Sequence, residues 1–310
     1  MNGTACSTLG DGCGHGKVIL LGEHAVVHGI TAIAVGIGRS VEASVYASTT
    51  APTQLQVHDA HGQWIIERDA ELWRAFRALC DDIGVDRPVR AVARITVPTR
   101  AGLGSSAAMG VALAQALFAS RGLPRDAERV ERAAQAWEKV FHGNPSGIDV
   151  AAAIHGGCIA FARGKGATQL PLARPLCLCI GDTGERSSTR EMVERVTAVL
   201  HSSPGLGQRI LGRIRDAVEA ARLALEHGDH AALGRAMQDN GMLLAQLGLA
   251  TPTSDTLVAS ARAAGACGAK VTGAGGGGCV VALAPGVQDR VLNAWARDGF
   301  RGFAVDVHPA

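Results

Sequence analysis

Four short stretches of this chain hold the residue types best suited to chemistry. The first, Pro98-Thr-Arg-Ala-Gly102-Leu103-Gly104-Ser105-Ser106-Ala107-Ala108, sets two glycines and two serines ahead of an Ala-rich segment. At a helix start, free N–H groups and the positive dipole end attract an anion such as phosphate. A plain serine N-cap after a flexible turn accounts for the same residues. Gly102-x-Gly104-x-x-Ala107 also fits a dinucleotide-binding fingerprint, but the acid near the required spacing, Glu128, falls inside a helical run. The second stretch, Lys270-Val-Thr272-Gly273-Ala274-Gly275-Gly276-Gly277-Gly278-Cys279, is followed by strand formers, which disfavours a Rossmann turn. Each of its consecutive glycines costs roughly 0.5–1 kcal/mol relative to Ala. The run therefore implies close backbone approach, to a ligand or, as in a β-bulge, to another strand. In the third, Glu138 and Asp149 flank the turn His142-Gly-Asn-Pro-Ser146-Gly147. Ser146 stands three residues before Asp149, a capping-box spacing, and on spacing alone Asp149 ties off a helix start. The functional alternative makes Asp149 a base at a helix N-terminus and Glu138 a hard-oxygen ligand of a divalent cation. In the fourth, Lys17 leads an apolar strand into Gly22-Glu23-His24, a polar pair that reads as a satisfied turn or as a site.

Positioning these groups takes alternating strands and helices. β-branched runs bounded by Gly and Pro predict strands over 17–21, 31–35, 41–47, 55–57 and 64–67. A helix over 71–83, a strand over 89–97 and helices over 107–121, 126–141 and 148–154 follow, then a strand over 158–162. The Gly-, Pro- and base-rich stretch 162–175 is the expected domain boundary. Beyond it come a strand at 177–180, helices over 189–200, 208–227, 230–247 and 254–264, strands at 269–272 and 279–283, a helix over 287–297 and a strand over 302–308. The fold class is α+β.

The 310 residues carry 30 Lys plus Arg against 28 Asp plus Glu, a net +2 that argues against non-specific nucleic-acid binding. With 47% hydrophobic and 19% charged residues the chain has the composition of a globular protein. Its apolar stretches fall short of the roughly 20 residues that span a bilayer, so no membrane partner is expected. The eight scattered cysteines form no CxxC pair, and no secretory pattern opens the chain, so reduced thiols and a cytoplasmic location are expected. No Walker motif is present, because Gly16-Lys17 leads into Val18 and Asp11 occupies the place of the first P-loop glycine.

Taken together and in this order, the motifs resemble the GHMP kinase superfamily of galactokinases, homoserine kinases, mevalonate kinases and phosphomevalonate kinases. Lys17 to Gly29, His142 to Asp149, and Asp182-Thr183-Gly184 with Ser188-Thr189-Arg190 look like its mevalonate kinase members in particular. The resemblance implies a two-domain GHMP kinase fold. Residues 1–172 would form an N-terminal domain like ribosomal protein S5 domain 2, and residues 173–310 a ferredoxin-like C-terminal domain. It implies transfer of the ATP γ-phosphoryl group to the 5-hydroxyl of mevalonate. By the same resemblance Asp149 is the base, and Lys17 biases it toward its ionised form. Ser106 and Glu138 hold Mg²⁺. Pro98 and the turn Gly102, Leu103, Gly104, Ser105, Ser106 and Ala107 wrap the phosphates, with Gly273, Ala274, Gly275 and Gly276 in support. Glu23, His24 and Thr189 contact mevalonate. A homodimer is common among such relatives. Phosphomevalonate kinase, a non-catalytic ligand-binding relative and, more distantly, a NAD-dependent dehydrogenase are the alternatives. The leader, residues 1–16, is longer than the first motif requires.

Overall fold

In the computed structural model, which describes residues 8–48, 52–68, 70–96, 102–142 and 145–309, the first described element is a strand that strand propensity alone would reject. β1 (Thr8–Leu21) carries glycines at 10, 12, 14 and 16. The structure gives the reason. A Cβ on Gly12 or Gly14 would fall inside contact distance of the carbonyls of Ala112 and Ala108, on the helix α2 (Ser105–Ser120). Glycine on the strand and alanine on the helix let the two backbones approach, so part of the leader is a structural strand. Pro98, expected in the phosphate loop, lies outside the described residues, as do Gly143, Asn144 and residues 1–7.

Two compact units divide the chain: residues 1–16, 39–99 and 104–154 form the first, and residues 17–38, 100–103 and 155–310 the second. This division differs from a cut at 172/173. The physical reason is that β1 and the next strand, β2 (Ala32–Ala47), are long enough to serve both units.

In the first unit, the C-terminal half of β2 runs antiparallel to the later strand at Val89–Ile95, with Val45 opposite Ala91. The strand β3 (Gln54–Asp59) pairs antiparallel with β4 (Gly62–Ile65) and parallel with that same Val89–Ile95 strand, β5. Helices α1 (Glu71–Ile83), α2, α3 (Ala127–His142) and α4 (Ile148–His155) complete it. α2 is buried on nearly every side, from Ala107 to Phe118, and its apolar run has the all-round character of a core helix. α1 is amphipathic, burying Ala75, Phe76, Leu79, Cys80 and Ile83 at helical spacing. α2 and α3 meet where Gly110 lies flat against the Trp137 indole; a Cβ there would come within 2.7 Å of the ring.

In the second unit, the N-terminal half of β2 pairs antiparallel with β6 (Cys158–Ala162), which forms a hairpin with β7 (Gly166–Gln169). The stretch expected as a domain boundary is thus largely this hairpin, and its Gly and Lys residues form the tight turn. A four-stranded antiparallel sheet follows, from β8 (Leu176–Asp182), β9 (Gly268–Thr272), β10 (Cys279–Leu283) and β11 (Arg301–Val307), in the order β11-β8-β10-β9. Counted along the chain that order is fourth, first, third, second, the split βαβ arrangement of a ferredoxin-like fold. Four helices, α5 (Thr189–Ser202), α6 (Pro204–His227), α7 (His230–Gln246) and α8 (Pro252–Ala263), occupy the first crossover, and α9 (Gln288–Arg297) the second. No helix among the described residues is long and apolar enough to cross a membrane.

The close contact of β1 with α2 has a measurable consequence. Gly14→Ala is expected to destabilise the protein by about 1–3 kcal/mol, the usual cost of overpacking. Urea unfolding reads this directly, and an unchanged midpoint would show that the contact gives way freely.

Candidate active site

In the first unit Ser106 meets a buried carboxylate. Gly104 takes φ 72°, a left-handed conformation suited to glycine, and serves as the N-cap of α2 without a side-chain hydrogen bond to the helix. The first-turn N–H groups are thereby presented without a capping side chain over them. One residue into α2, the Ser106 hydroxyl donates to Glu138 Oε1 at 2.6 Å. Glu138 is 2% exposed. Its neighbour explains how it gets there: Trp137 Nε1 donates to the Ser106 carbonyl at 3.1 Å, so α3 is pinned to the start of α2 at this point. Asp149 stands in the first turn of α4, its Oδ1 shielded from solvent. Ser146 Oγ accepts from the N–H of Ile148.

In the second unit three motifs that lie far apart in sequence converge. The Lys17 N–H donates to the Leu103 carbonyl at 2.8 Å. Thr272 Oγ1 closes a two-point clasp on Ile19, accepting from its N–H at 2.8 Å and donating to its carbonyl at 3.0 Å. A Cβ on Gly273 would lie 3.6 Å from the Gly102 carbonyl and 3.8 Å from Lys17 Nζ. The Lys17 ammonium, the Gly102 turn and the glycine run thus border one small region, and Lys17 is 5% exposed. The glycine run is braced from behind. The Gly276 N–H is held by the Leu249 carbonyl and the Gly278 N–H by the Glu185 carbonyl, while Ser187 Oγ donates to the Gly275 carbonyl. Gly276 and Gly278 therefore support the loop with amides already in use. Thr189 opens α5 and is exposed.

The turn after β1 is unusual. His24 has φ 60°, the sole non-Gly residue with positive φ among the described residues, and its Nε2 lies 2.8 Å from the Ala274 carbonyl. Facing a carbonyl, Nε2 must carry the proton. Burial pushes the His24 pKa down; the Ala274 carbonyl and the Glu23 charge oppose that shift, while His28 and Lys270 add to it. A histidine whose folded pKa is depressed contributes stability that is whole above its unfolded pKa of about 6.5. That stability is lost as pH falls through this value toward the folded one. The Tm advantage of the wild type over His24→Asn is accordingly expected to shrink between pH 7.5 and pH 5.5, and a constant difference would contradict the assignment.

Glu23 is 2% exposed, and both its carboxylate oxygens are occupied. Lys270 Nζ bonds Oε1 and Asn240 Nδ2 donates to Oε2 at 2.9 Å. Neither partner was among the residues expected from the sequence. One signal was available: Lys270 is the lone charge in a strand that is otherwise apolar or small, directly before the glycine run.

Comparison with known proteins places this α+β chain in the class of GHMP kinases. The family described as "GHMP kinases N terminal domain" matches residues 70–157, and "GHMP kinases C terminal" matches residues 221–301. The chain is 35% identical to a mevalonate kinase of Aeropyrum pernix, covering 94% of each chain. It is 33% identical to a mevalonate kinase of Pyrococcus horikoshii over 90% of this chain and 89% of that one. A crystal structure of L. major mevalonate kinase in complex with R-mevalonate superposes with a TM-score of 0.87 at 30% identity, covering 100% of this chain and 99% of that one. The chain belongs to the mevalonate kinase family of GHMP kinases.

Proposed function

We propose that the protein transfers the γ-phosphoryl group of ATP to the primary 5-hydroxyl of mevalonate, giving 5-phosphomevalonate for isoprenoid precursor synthesis. The observation that carries this reading is the meeting of Lys17, the Gly102–Leu103 turn and Gly273 in one region of the second unit. Phosphoryl transfer needs positioning and charge neutralisation more than covalent chemistry, and these groups supply both.

The first-turn amides of α2, from Ser105 to Ala107, bind the phosphates, and Gly273 to Gly275 are assigned to the nucleotide as well. Lys17 stabilises the negative charge that develops on the transferring group. Asp149 takes the proton from the attacking hydroxyl. His24 and Thr189 orient the alcohol. Ser106 Oγ and Glu138 Oε1 are hard oxygens on adjoining helices, and no cluster of three His, Cys, Asp or Glu side chains suited to a metal occurs among the described residues. That donor set fits Mg²⁺, which is usually held by one or two carboxylates together with substrate phosphates. When bound, Mg²⁺ supplies charge neutralisation across the phosphates. In family terms residues 1–172 are the N-terminal and 173–310 the C-terminal kinase domain. A homodimer, the commonest closed assembly, and a cytoplasmic location, in keeping with the free cysteines among the described residues, complete the proposal.

Phosphorus NMR of the product tests the reaction and its position together. Esterification of the primary alcohol gives a phosphorus signal split by two methylene protons. An unsplit ester, formed on the tertiary alcohol, or no ester at all would contradict the proposal.

A further inference from the structure

Resting on the reading just given, we propose that Lys270 and Asn240 are positioning residues for the alcohol-binding turn, and that Glu23 serves as the anchor of that turn rather than as a substrate contact. The argument starts from atoms already in use. Glu23 has two carboxylate oxygens, and each holds a different donor, Lys270 Nζ on one and Asn240 Nδ2 on the other. Asn240 reads the turn twice, because its Oδ1 also accepts the Gly22 N–H at 3.4 Å. Lys270 is 1% exposed and Asn240 fully buried, and Lys270 Nζ makes a further bond to the Val271 carbonyl at 2.6 Å. With a donor on each oxygen and only 2% of Glu23 exposed, the carboxylate is turned toward the protein rather than toward a ligand.

The three residues come from three separate places in the chain: the turn after β1, the middle of α7 and β9. α7 makes room for the lysine stem with Gly241, where a Cβ would sit 3.0 Å from that of Lys270. What the anchor holds is a turn with its own backbone hydrogen bonds, from the Ala25 N–H to the Glu23 carbonyl and from the Val26 N–H to the Gly22 carbonyl, but in a disfavoured backbone conformation. Gly22 has φ 88°, and His24 combines φ 60° with ψ −41°, outside the left-handed helical region where non-glycine residues with positive φ ordinarily fall. Such a conformation persists only where the surroundings over-determine it, and such sites cluster at ligand clamps. From that turn the His24 ring reaches the Ala274 carbonyl, joining the turn to the glycine run. The ion pair thus acts through His24.

A double-substitution cycle tests this on the full-length protein. Breaking one side of a buried pair leaves an uncompensated charge, whereas removing both charges is far milder. Glu23→Gln alone is expected to lower Tm and raise KM for mevalonate about tenfold or more, with KM for ATP and kcat changed less than threefold. Adding Lys270→Met is expected to recover most of the Tm and bring KM for mevalonate within about threefold of wild type. If the double variant keeps the raised KM of Glu23→Gln, Glu23 touches the substrate and the proposal fails. Additive Tm changes would equally overturn it, since they would show no coupling between the two side chains. Should the single variants fail to fold, the double variant's KM against wild type decides alone. Should the wild type turn over no mevalonate, the functional reading falls, and the Tm cycle still tests the anchor.

Discussion

Replacing Asp149 by Asn is expected to lower kcat by about 10²–10⁴-fold, the range a positioned general base contributes. The affinity for ATP should stay within about threefold. Asn keeps the size and the hydrogen-bonding outline of Asp but cannot accept a proton at neutral pH. Asp149 lies in the first turn of α4, where a negative charge also steadies the helix dipole. That helix effect is worth only about 0.3–1 kcal/mol, so the variant should fold and melt within a few degrees of wild type. A loss confined to kcat therefore separates proton transfer from stability and from nucleotide binding. Near wild-type turnover would mean that the hydroxyl proton leaves by another route, and Asp149 would revert to the helix-start role that its spacing after Ser146 allows.

Glu138→Gln is expected to raise the Mg²⁺ concentration for half-maximal activity by about 100-fold, equivalent to about 2.7 kcal/mol. Gln retains an oxygen acceptor for the Ser106 hydroxyl, so the link at the start of α2 survives while the charge that holds the cation is removed. Trp137 keeps its own bond to the Ser106 carbonyl, which holds α3 in place. Titrating Mg²⁺ at fixed ATP reads the effect. An unchanged Mg²⁺ dependence would place the cation on other ligands and leave the Ser106–Glu138 bond as a helix clasp.

The elements that could be read from the sequence are those whose local signals agree with their surroundings. α1 was expected over 71–83 and spans Glu71–Ile83, because its apolar residues repeat at helical spacing and Gly84 stops it in a left-handed conformation. β6 and β10 likewise are apolar runs that begin and end at turns containing glycine. The opening half of β1 was hidden because its glycines deny it strand propensity, and their purpose is visible only once α2 lies against them. β7 was hidden for a related reason: the Gly and Lys residues that looked like a boundary form a hairpin turn.

At the site, the glycine runs, Ser106, Glu138, Asp149, Lys17 and the Glu23-His24 pair were all legible as motifs. Their partners were not. Nothing in a single sequence says that Lys270 would turn inward to Glu23, or that Asn240 would rise from the middle of α7 to meet Gly22 and Glu23, since those contacts span more than 200 residues. The motif around Glu23 pointed to substrate, while the enclosure of its carboxylate points to an anchor.

The most direct test of the proposed phosphoryl transfer to mevalonate is a coupled ADP-release assay with ATP and Mg²⁺, offering mevalonate, phosphomevalonate, homoserine and galactose side by side. Turnover is predicted on mevalonate alone, at about 1–100 s⁻¹. Turnover on one of the other three in its place, or on none of the four, would contradict it.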